Sequence, residues 1–115
     1  MPPTLADRVI HILNAIEDVE KILQGKEQRE FAEDRVLRMA VERLLEIISE
    51  ASRFIPPEAK ARANQISWQN IADLGNWLRH AYHRIDATIL WNIYQDDLPP
   101  LKAFVEQVLR DEKRG

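Results

Sequence analysis

The segment GNWLRHAYHRID, residues 75–86, holds the densest group of chemically useful side chains in this chain. Arg79 supplies a permanent charge on a planar fork that suits phosphate. His80 supplies an imidazole, which can take or give a proton near neutral pH. Tyr82 supplies a phenol that can position a substrate or act as a nucleophile. This set favours phosphodiester cleavage without a metal, in which one group removes a 2′-hydroxyl proton and a cation stabilises charge on the phosphate oxygens.

Helical spacing relates these residues to one another. On a helix, Asn76 and His80 lie one turn apart on one face, and so do Gly75 and Arg79. On spacing alone, a polar helix end is the more common interpretation. In that case the basic residues face the C-terminal dipole and Tyr82 packs. The pattern by itself therefore leaves both interpretations open.

Charge and composition narrow the classes of function. The 115 residues are 45% hydrophobic and include no cysteine, which excludes a disulfide framework, a Cys-based zinc site and thiol catalysis. A net charge of −3 argues against binding nucleic acid or membrane over the whole surface. Residues 51–90, however, carry five Lys/Arg against three Asp/Glu, so the only net-basic third contains the polar segment. This excess indicates a confined anion contact, although two charges are also a small fluctuation.

No apolar run approaches the length of about 18 residues that a membrane span needs. The chain start lacks the apolar core of a signal peptide, and the absence of cysteine fits a reducing compartment. We therefore expect a cytoplasmic protein without membrane contact. The length predicts a single domain over residues 1–115.

Apolar periodicity predicts an all-α fold, with two long antiparallel helices packed on two or three shorter ones. The first helix follows Pro3 and ends at Gly25, and the second runs from about Phe31 to Phe54. The connector that follows has room for one short helical turn. Ser67 and Asp86 are predicted N-caps of the next two helices. The last helix is predicted to open at Asp97, with Pro99 and Pro100 in its first turn.

The polar segment resembles the signature of HepT-like proteins, a branch of the HEPN superfamily of small all-helical domains. Their motif runs Arg-Asn, three residues, His, one residue, Tyr, usually followed shortly by Asp. Asn76, His80, Tyr82 and Asp86 fall on the last four of these motif positions. The flanking LLEIISEASRF, Trp68 and ILWNIYQDDLPPLKAFV also match, so the resemblance covers most of the chain. It implies a HEPN-like helical bundle.

The resemblance also implies a function. HepT-like proteins are toxins of type VII toxin–antitoxin systems that cleave RNA without a metal, as homodimers whose two motifs face a shared cleft. On these positions, His80, Arg79 and Asn76 are the expected catalytic residues, and Arg84 and His83 are expected to bind substrate. The wide apolar faces of the first two helices could form part of the dimer interface.

The resemblance further implies a regulatory partner, an MNT-type nucleotidyltransferase antitoxin. This partner adds AMP to the motif tyrosine, which is Tyr82 here. A bulky anionic adduct would block the cleft and neutralise the arginines that bind RNA phosphate.

One residue departs from the family pattern, because Gly75 stands where the motif has arginine. Arg79, one turn later, could reach the same region and substitute. Alternatively, the chain has lost nuclease activity and is a non-catalytic module that binds a nucleotide or docks a nucleotidyltransferase. The glycine itself would permit a close approach of two helices. A plain dimeric scaffold is a third interpretation, and it requires the motif side chains to be buried and paired.

Other residues have more ordinary interpretations. His80, His83 and Asp86 recur every three residues, but no second ligand cluster accompanies them, so we predict neither a metal site nor a cofactor. Three tryptophans could stack on bases, but aromatics at helical spacing favour the core for Trp68, Trp77 and Trp91.

Glutamates recur every four residues on the second helix, at Glu42, Glu46 and Glu50. Paired carboxylates can do acid–base chemistry, but a solvated face is the favoured interpretation. Within it, Glu46 or Glu50 could form a salt bridge to the basic motif helix. His11, on the first helix, is expected to be a packing or surface residue.

Overall fold

The computed structural model describes residues 4–80 and 86–114, and the predicted site residues Tyr82, His83 and Arg84 lie outside these ranges. The described ranges are helical throughout their regular structure and contain no strand, which confirms the all-α fold. The elements in chain order are α1 (Leu5–Leu23), α2 (Gln28–Glu33), α3 (Arg35–Ser52), α4 (Pro57–Ala61), α5 (Trp68–His80), α6 (Ala87–Asn92), a π-helical turn (Ile93–Asp97) and α7 (Leu98–Arg114).

α1 begins at a capping box. The Thr4 side chain accepts a hydrogen bond from the Asp7 N–H at 3.1 Å, and the Asp7 carboxylate accepts one from the Thr4 N–H at 2.8 Å. These two hydrogen bonds with Thr4 lower the pKa of the Asp7 carboxyl. The start of α1 lies beside the end of α3, because the Arg8 guanidinium lies 3.8 Å from the centre of the Phe54 ring. α1 and α3 are therefore antiparallel, as predicted.

The predicted second helix is interrupted near its start. We expected one helix from about Phe31, but Asp34 has an extended backbone and its side chain accepts from the Leu37 N–H at 3.0 Å. Asp34 thus caps a new helix, because a short carboxylate competes with the helical hydrogen bonds of the backbone. Phe31 belongs to the separate α2, where it is buried and its ring centre lies 5.7 Å from that of Trp91.

The C-terminal elements, α6, the π-helical turn and α7, form one continuous helical segment. Asp86 caps α6 as predicted, since its carboxylate accepts from the Thr88 N–H at 2.8 Å. We expected a new helix to open at Asp97, but the helical backbone passes unbroken from α6 through the π-helical turn into α7. Within that turn the Leu98 N–H donates to the Ile93 carbonyl, five residues earlier. The wider turn tolerates the missing N–H groups of the two prolines that open α7.

α1, α3 and α7 supply most of the core. The Lys102 ammonium of α7 donates to the Glu20 carboxylate of α1 at 2.9 Å, so the start of α7 lies beside the end of α1. That hydrogen bond raises the pKa of Lys102. The fully buried side chains of these three helices are Val9, Ile12, Ile16, Val19, Leu23, Val41, Leu45, Ile48, Leu101 and Val105.

Two of the three tryptophans are partly buried and pack against the core, as predicted. Trp68 lies edge-on to Phe104 with ring centres 5.0 Å apart, and its indole N–H donates to the Ala63 carbonyl at 3.1 Å. Trp91 lies between Phe31 and Tyr94. Among the described helices, none is long and apolar enough to cross a membrane.

Candidate functional site

The helix that carries the polar motif is fixed to α3 by one buried serine. The Ser49 hydroxyl donates to the Ala72 carbonyl of α5 at 3.1 Å and accepts from the Gly75 N–H at 2.9 Å. Arg53, the residue that caps the C-terminus of α3, donates to the same Ala72 carbonyl at 3.1 Å. Sequence reasoning missed both residues. Ser49 could have been found as a small polar residue beside the apolar stripe of α3. Arg53 could have been found because it belongs to the net-basic segment, residues 51–90.

Gly75 is buried where α5 packs closely against α3. A Cβ atom at this position would lie 2.7 Å from the Ser49 Oγ and 3.1 Å from the Ser49 Cβ. Real Cβ contacts shorter than 3.0 Å are essentially unknown, so a side chain here would force Ser49 or the helix to move. The close helix approach expected for Gly75 is therefore present.

The Arg79 side chain points back along α5 towards Gly75. Its Nη1 atom lies 3.3 Å from the position that a Cβ of residue 75 would take. The guanidinium therefore lies within contact distance of the space that a side chain at residue 75 would enter. Arg79 and His80 both belong to the last turn of α5, where the helix dipole favours positive charge.

Asn76 and His80 occupy an exposed face of the same helix, one turn apart. Arg79 is exposed as well, so the structure brings three predicted catalytic side chains to the solvent-accessible end of α5. The plain-scaffold interpretation required these side chains to be buried and paired, and the three that are described are not buried. The remaining predicted site residues fall in 81–85, outside the described ranges.

An apolar groove of about 420 Å³ adjoins the motif. Its walls come from α3, α5, α6, the π-helical turn and α7 and include Leu45, Ile48, Ile71, Leu74, Ile93, Leu98 and Leu101. Trp77 and Ile89 stand at its edge, with 38% and 44% of their surface exposed. The core position predicted for Trp77 is thus wrong, because Gly75 and Leu78 take the buried positions of this stretch of α5.

Carboxylates line the polar rim of this groove, at Asp73, Asp96 and Asp97. Partial burial raises the pKa of the Asp97 carboxyl, and the neighbouring charge of Asp96 adds to the effect. The last turn of α5, two turns from Asp73, carries the basic pair instead. The motif helix therefore presents an acidic, apolar stretch followed by a basic end.

The glutamates of α3 do not pair with the motif helix in the described parts of the chain. Glu46 forms an ion pair with Arg43 on its own helix, with 3.7 Å between the charged atoms. His83 and Arg84 lie outside the described ranges, so a salt bridge from Glu46 or Glu50 to them stays a prediction. Glu50 is exposed, and burial raises the pKa of Glu42. Within residues 4–80 and 86–114, no group of three or more His, Asp or Glu side chains is arranged to hold a metal ion.

Comparison with known proteins identifies the family. A protein of Methanocaldococcus jannaschii named "Putative RNase" is 37% identical over 97 residues, which are 84% of this chain and 89% of the relative. One of Thermococcus cleftensis named "Probable ribonuclease HepT" is 35% identical over 89% of this chain and 93% of its own length. One of Caldanaerobacter subterraneus, also named "Putative RNase", is 32% identical over 90% of this chain and 92% of its own.

No solved structure gives a significant match to the chain. The family model described as "Ribonuclease HepT-like" matches residues 12–108 and so includes α3, α5, the groove and the whole polar motif. The sequence resemblance is thereby confirmed, and the chain belongs to the HepT-like ribonuclease family of the HEPN superfamily.

Proposed function

We propose that this chain is a metal-independent endoribonuclease whose active site is the basic end of α5. His80 is the acid–base group, Arg79 stabilises charge on the phosphate, and Asn76 orients the two. One observation carries the proposal. In a chain of the HepT-like ribonuclease family, the Arg79 guanidinium lies 3.3 Å from the place of a residue-75 Cβ, beside an exposed His80. A cation therefore stands close to the motif arginine's position although that arginine is missing.

The chemistry needs only groups that the chain itself supplies. An imidazole nitrogen of His80 takes the proton from a ribose 2′-hydroxyl, and the 2′-oxygen attacks the adjacent phosphorus. The O2′–P bond forms, the P–O5′ bond breaks, and the leaving 5′-oxygen takes the proton that the His80 imidazole has accepted. Arg79 stabilises the negative charge that develops on the non-bridging oxygens. The products are a 2′,3′-cyclic phosphate and a 5′-hydroxyl.

The proposal includes a second copy of the chain. Trp77 and Ile89 expose large apolar surfaces at the rim of the groove, and Trp77 is within one helical turn of His80. Contiguous exposed apolar surface of this kind favours burial against a partner. A two-fold axis across this face would bring two basic helix ends to a shared cleft. His83 and Arg84 extend the substrate contact in this proposal.

The proposal also includes regulation by a nucleotidyltransferase antitoxin that adds AMP to Tyr82, as family membership suggests. The charge of the site supports it, because Arg79 and His80 precede Tyr82 by three and two residues. A phosphodiester on that phenol would add a negative charge for these groups to bind in place of RNA phosphate.

Cleavage of a labelled RNA in EDTA tests the nuclease. His80→Ala is expected to lower the rate by about 10²–10⁴-fold, the usual contribution of a positioned acid–base group. His11→Ala is the matched control, because His11 is an exposed histidine on α1. It should retain wild-type activity. The same oligonucleotide with 2′-deoxyribose at every position should remain intact. Equal RNA decay for wild type and His80→Ala would show that the chain is instead a non-catalytic binding module.

Mass spectrometry tests the regulatory part. The purified protein, mixed with a family nucleotidyltransferase and ATP, should gain the mass of one AMP, and Tyr82→Phe should gain none. Light scattering on wild type and Trp77→Asp tests the dimer, since a carboxylate at the groove edge would oppose apolar packing. A wild-type monomer, or AMP on the phenylalanine variant, would contradict these parts of the proposal.

A further inference from the structure

The most unusual feature of the site is the glycine at the family's arginine position. We propose that Gly75 and Ser49 position the Arg79 guanidinium, so that the phosphate-binding cation of this chain comes from one helical turn later than the family motif places it. This inference rests on the proposed nuclease function and names two residues that act through Arg79. It also predicts that an arginine restored at position 75 lowers activity.

The first support for this inference is the limited space around residue 75. Residues 75 and 79 are one turn apart on the same face of α5, so any side chain at 75 competes with Arg79 for that surface. Even a methyl group at 75 would come within 3.3 Å of the Arg79 Nη1, which is tighter than most real contacts of a Cβ atom. A longer side chain would extend from the same point into the volume that the guanidinium occupies.

The second support is the attachment of α5 to α3. Ser49 is 1% exposed and binds α5 at two backbone groups, the Ala72 carbonyl and the Gly75 N–H. A side chain at 75 would meet the Ser49 Oγ at 2.7 Å and would have to displace it or push the helices apart. The absence of a side chain at residue 75 therefore permits two contacts, the close packing of α5 on α3 and the approach of the Arg79 guanidinium to residue 75.

The test is a double-mutant cycle on RNA cleavage. Gly75→Ala and Gly75→Arg are each measured with Arg79 present and with Arg79→Ala. Arg79→Ala alone is expected to lower kcat/KM by about 10²-fold, the usual effect of removing a group that stabilises transition-state charge. Gly75→Arg is expected to lower it by about 10-fold or more when Arg79 is present, because small displacements of a positioned group are costly. Neither change at 75 should lower it further when Arg79 is absent.

Loss of stability would act differently, because a smaller folded fraction reduces activity by the same factor in both Arg79 backgrounds. If the variants at 75 fail to fold, Ser49→Gly is measured in their place, with Arg79 present and with Arg79→Ala, because Ser49 is the other positioning residue; it should lower kcat/KM only when Arg79 is present. Ser52→Gly is the matched control, because Ser52 is a buried serine one turn away that donates to the Ser49 carbonyl at 2.7 Å.

Three outcomes would overturn the inference: higher activity of Gly75→Arg than of wild type, recovery of activity in Gly75→Arg/Arg79→Ala, or equal losses in both Arg79 backgrounds. Each of them leaves the nuclease itself intact, since that depends on His80. Wild-type activity in His80→Ala would instead remove the proposed function and this inference with it.

Discussion

Gly75→Ala tests the α3–α5 crossing through protein stability, independently of any activity. In an ordinary helix interior this change stabilises a protein by about 0.5–1 kcal/mol, because alanine loses less conformational entropy on folding. Here the new methyl group would lie 2.7 Å from the Ser49 Oγ. The structure therefore reverses the sign that helix propensity alone would give.

The magnitude follows from the two ways in which the contact can relax. If Ser49 rotates away, two hydrogen bonds are lost, each worth about 1 kcal/mol. If α5 instead moves off α3, overpacking costs about 1–3 kcal/mol. After subtraction of the helix-propensity gain, the first route leaves a loss of about 1–1.5 kcal/mol and the second a loss of up to about 2.5 kcal/mol. For a chain of this length, a loss of about 1–2.5 kcal/mol corresponds to a decrease in Tm of about 4–10 °C.

Urea unfolding followed by far-ultraviolet circular dichroism measures the free energy of unfolding. The decisive comparison is Gly75→Ala in wild type and in Ser49→Gly, since the second background lacks the atoms that the methyl group meets on α3. We expect destabilisation in the first background and a neutral or stabilising effect in the second, which gives a coupling energy of about 2 kcal/mol. In Ser52→Gly the loss should persist. An equal effect of Gly75→Ala in all three backgrounds would refute the crossing geometry.

Two further perturbations test the core and the groove. Leu45→Ala should destabilise the protein by about 2–5 kcal/mol, because the side chain is fully buried. Val36→Ala, at a residue that is 74% exposed, should change stability by less than about 0.5 kcal/mol in the same assay. Asp97→Asn should raise Tm at pH 7, because the raised pKa of Asp97 means that the fold disfavours its charged form. That advantage should shrink as pH falls through the raised value towards the ordinary 3.8, where wild type is also protonated; a difference that stays constant with pH would contradict it.

The helical architecture could be predicted because most of its apolar residues recur at helical spacing. The stripes of the first two predicted helices correspond to the buried faces of α1 and α3, and Asp86 caps α6 as its residue type suggested. Asp34 was missed as a cap because it stands beside an apolar repeat that continues on both sides of it. A carboxylate in that position is compatible both with a solvated helix face and with a helix start, and only the backbone geometry distinguishes them.

The π-helical turn was missed for a related reason. One additional residue in a turn shifts the helical register without removing any apolar residue from the run, so the pattern gives no sign of it. Trp77 shows that helical spacing alone does not predict which face of a helix is buried. Its spacing suits the core, but α5 is only partly covered by its neighbours, and which of its faces is covered depends on elements far away in sequence.

At the site, the sequence supplied the residue types and the structure supplied their relation. Gly75 alone reads as the loss of an arginine and therefore of a catalytic group. In the structure, Ser49 binds the Gly75 N–H, and the Arg79 guanidinium lies 3.3 Å from the position that a Cβ of residue 75 would take. These contacts indicate that the glycine leaves room for a cation supplied by the residue one turn later. Neither Ser49 nor the direction of Arg79 is visible in the spacing of residues 75–86. The contact partner lies 26 positions earlier, and an arginine can point either way along a helix. The departure from the family motif therefore cannot be judged from position 75 by itself, because a comparison of that position alone misses the Arg79 guanidinium beside it.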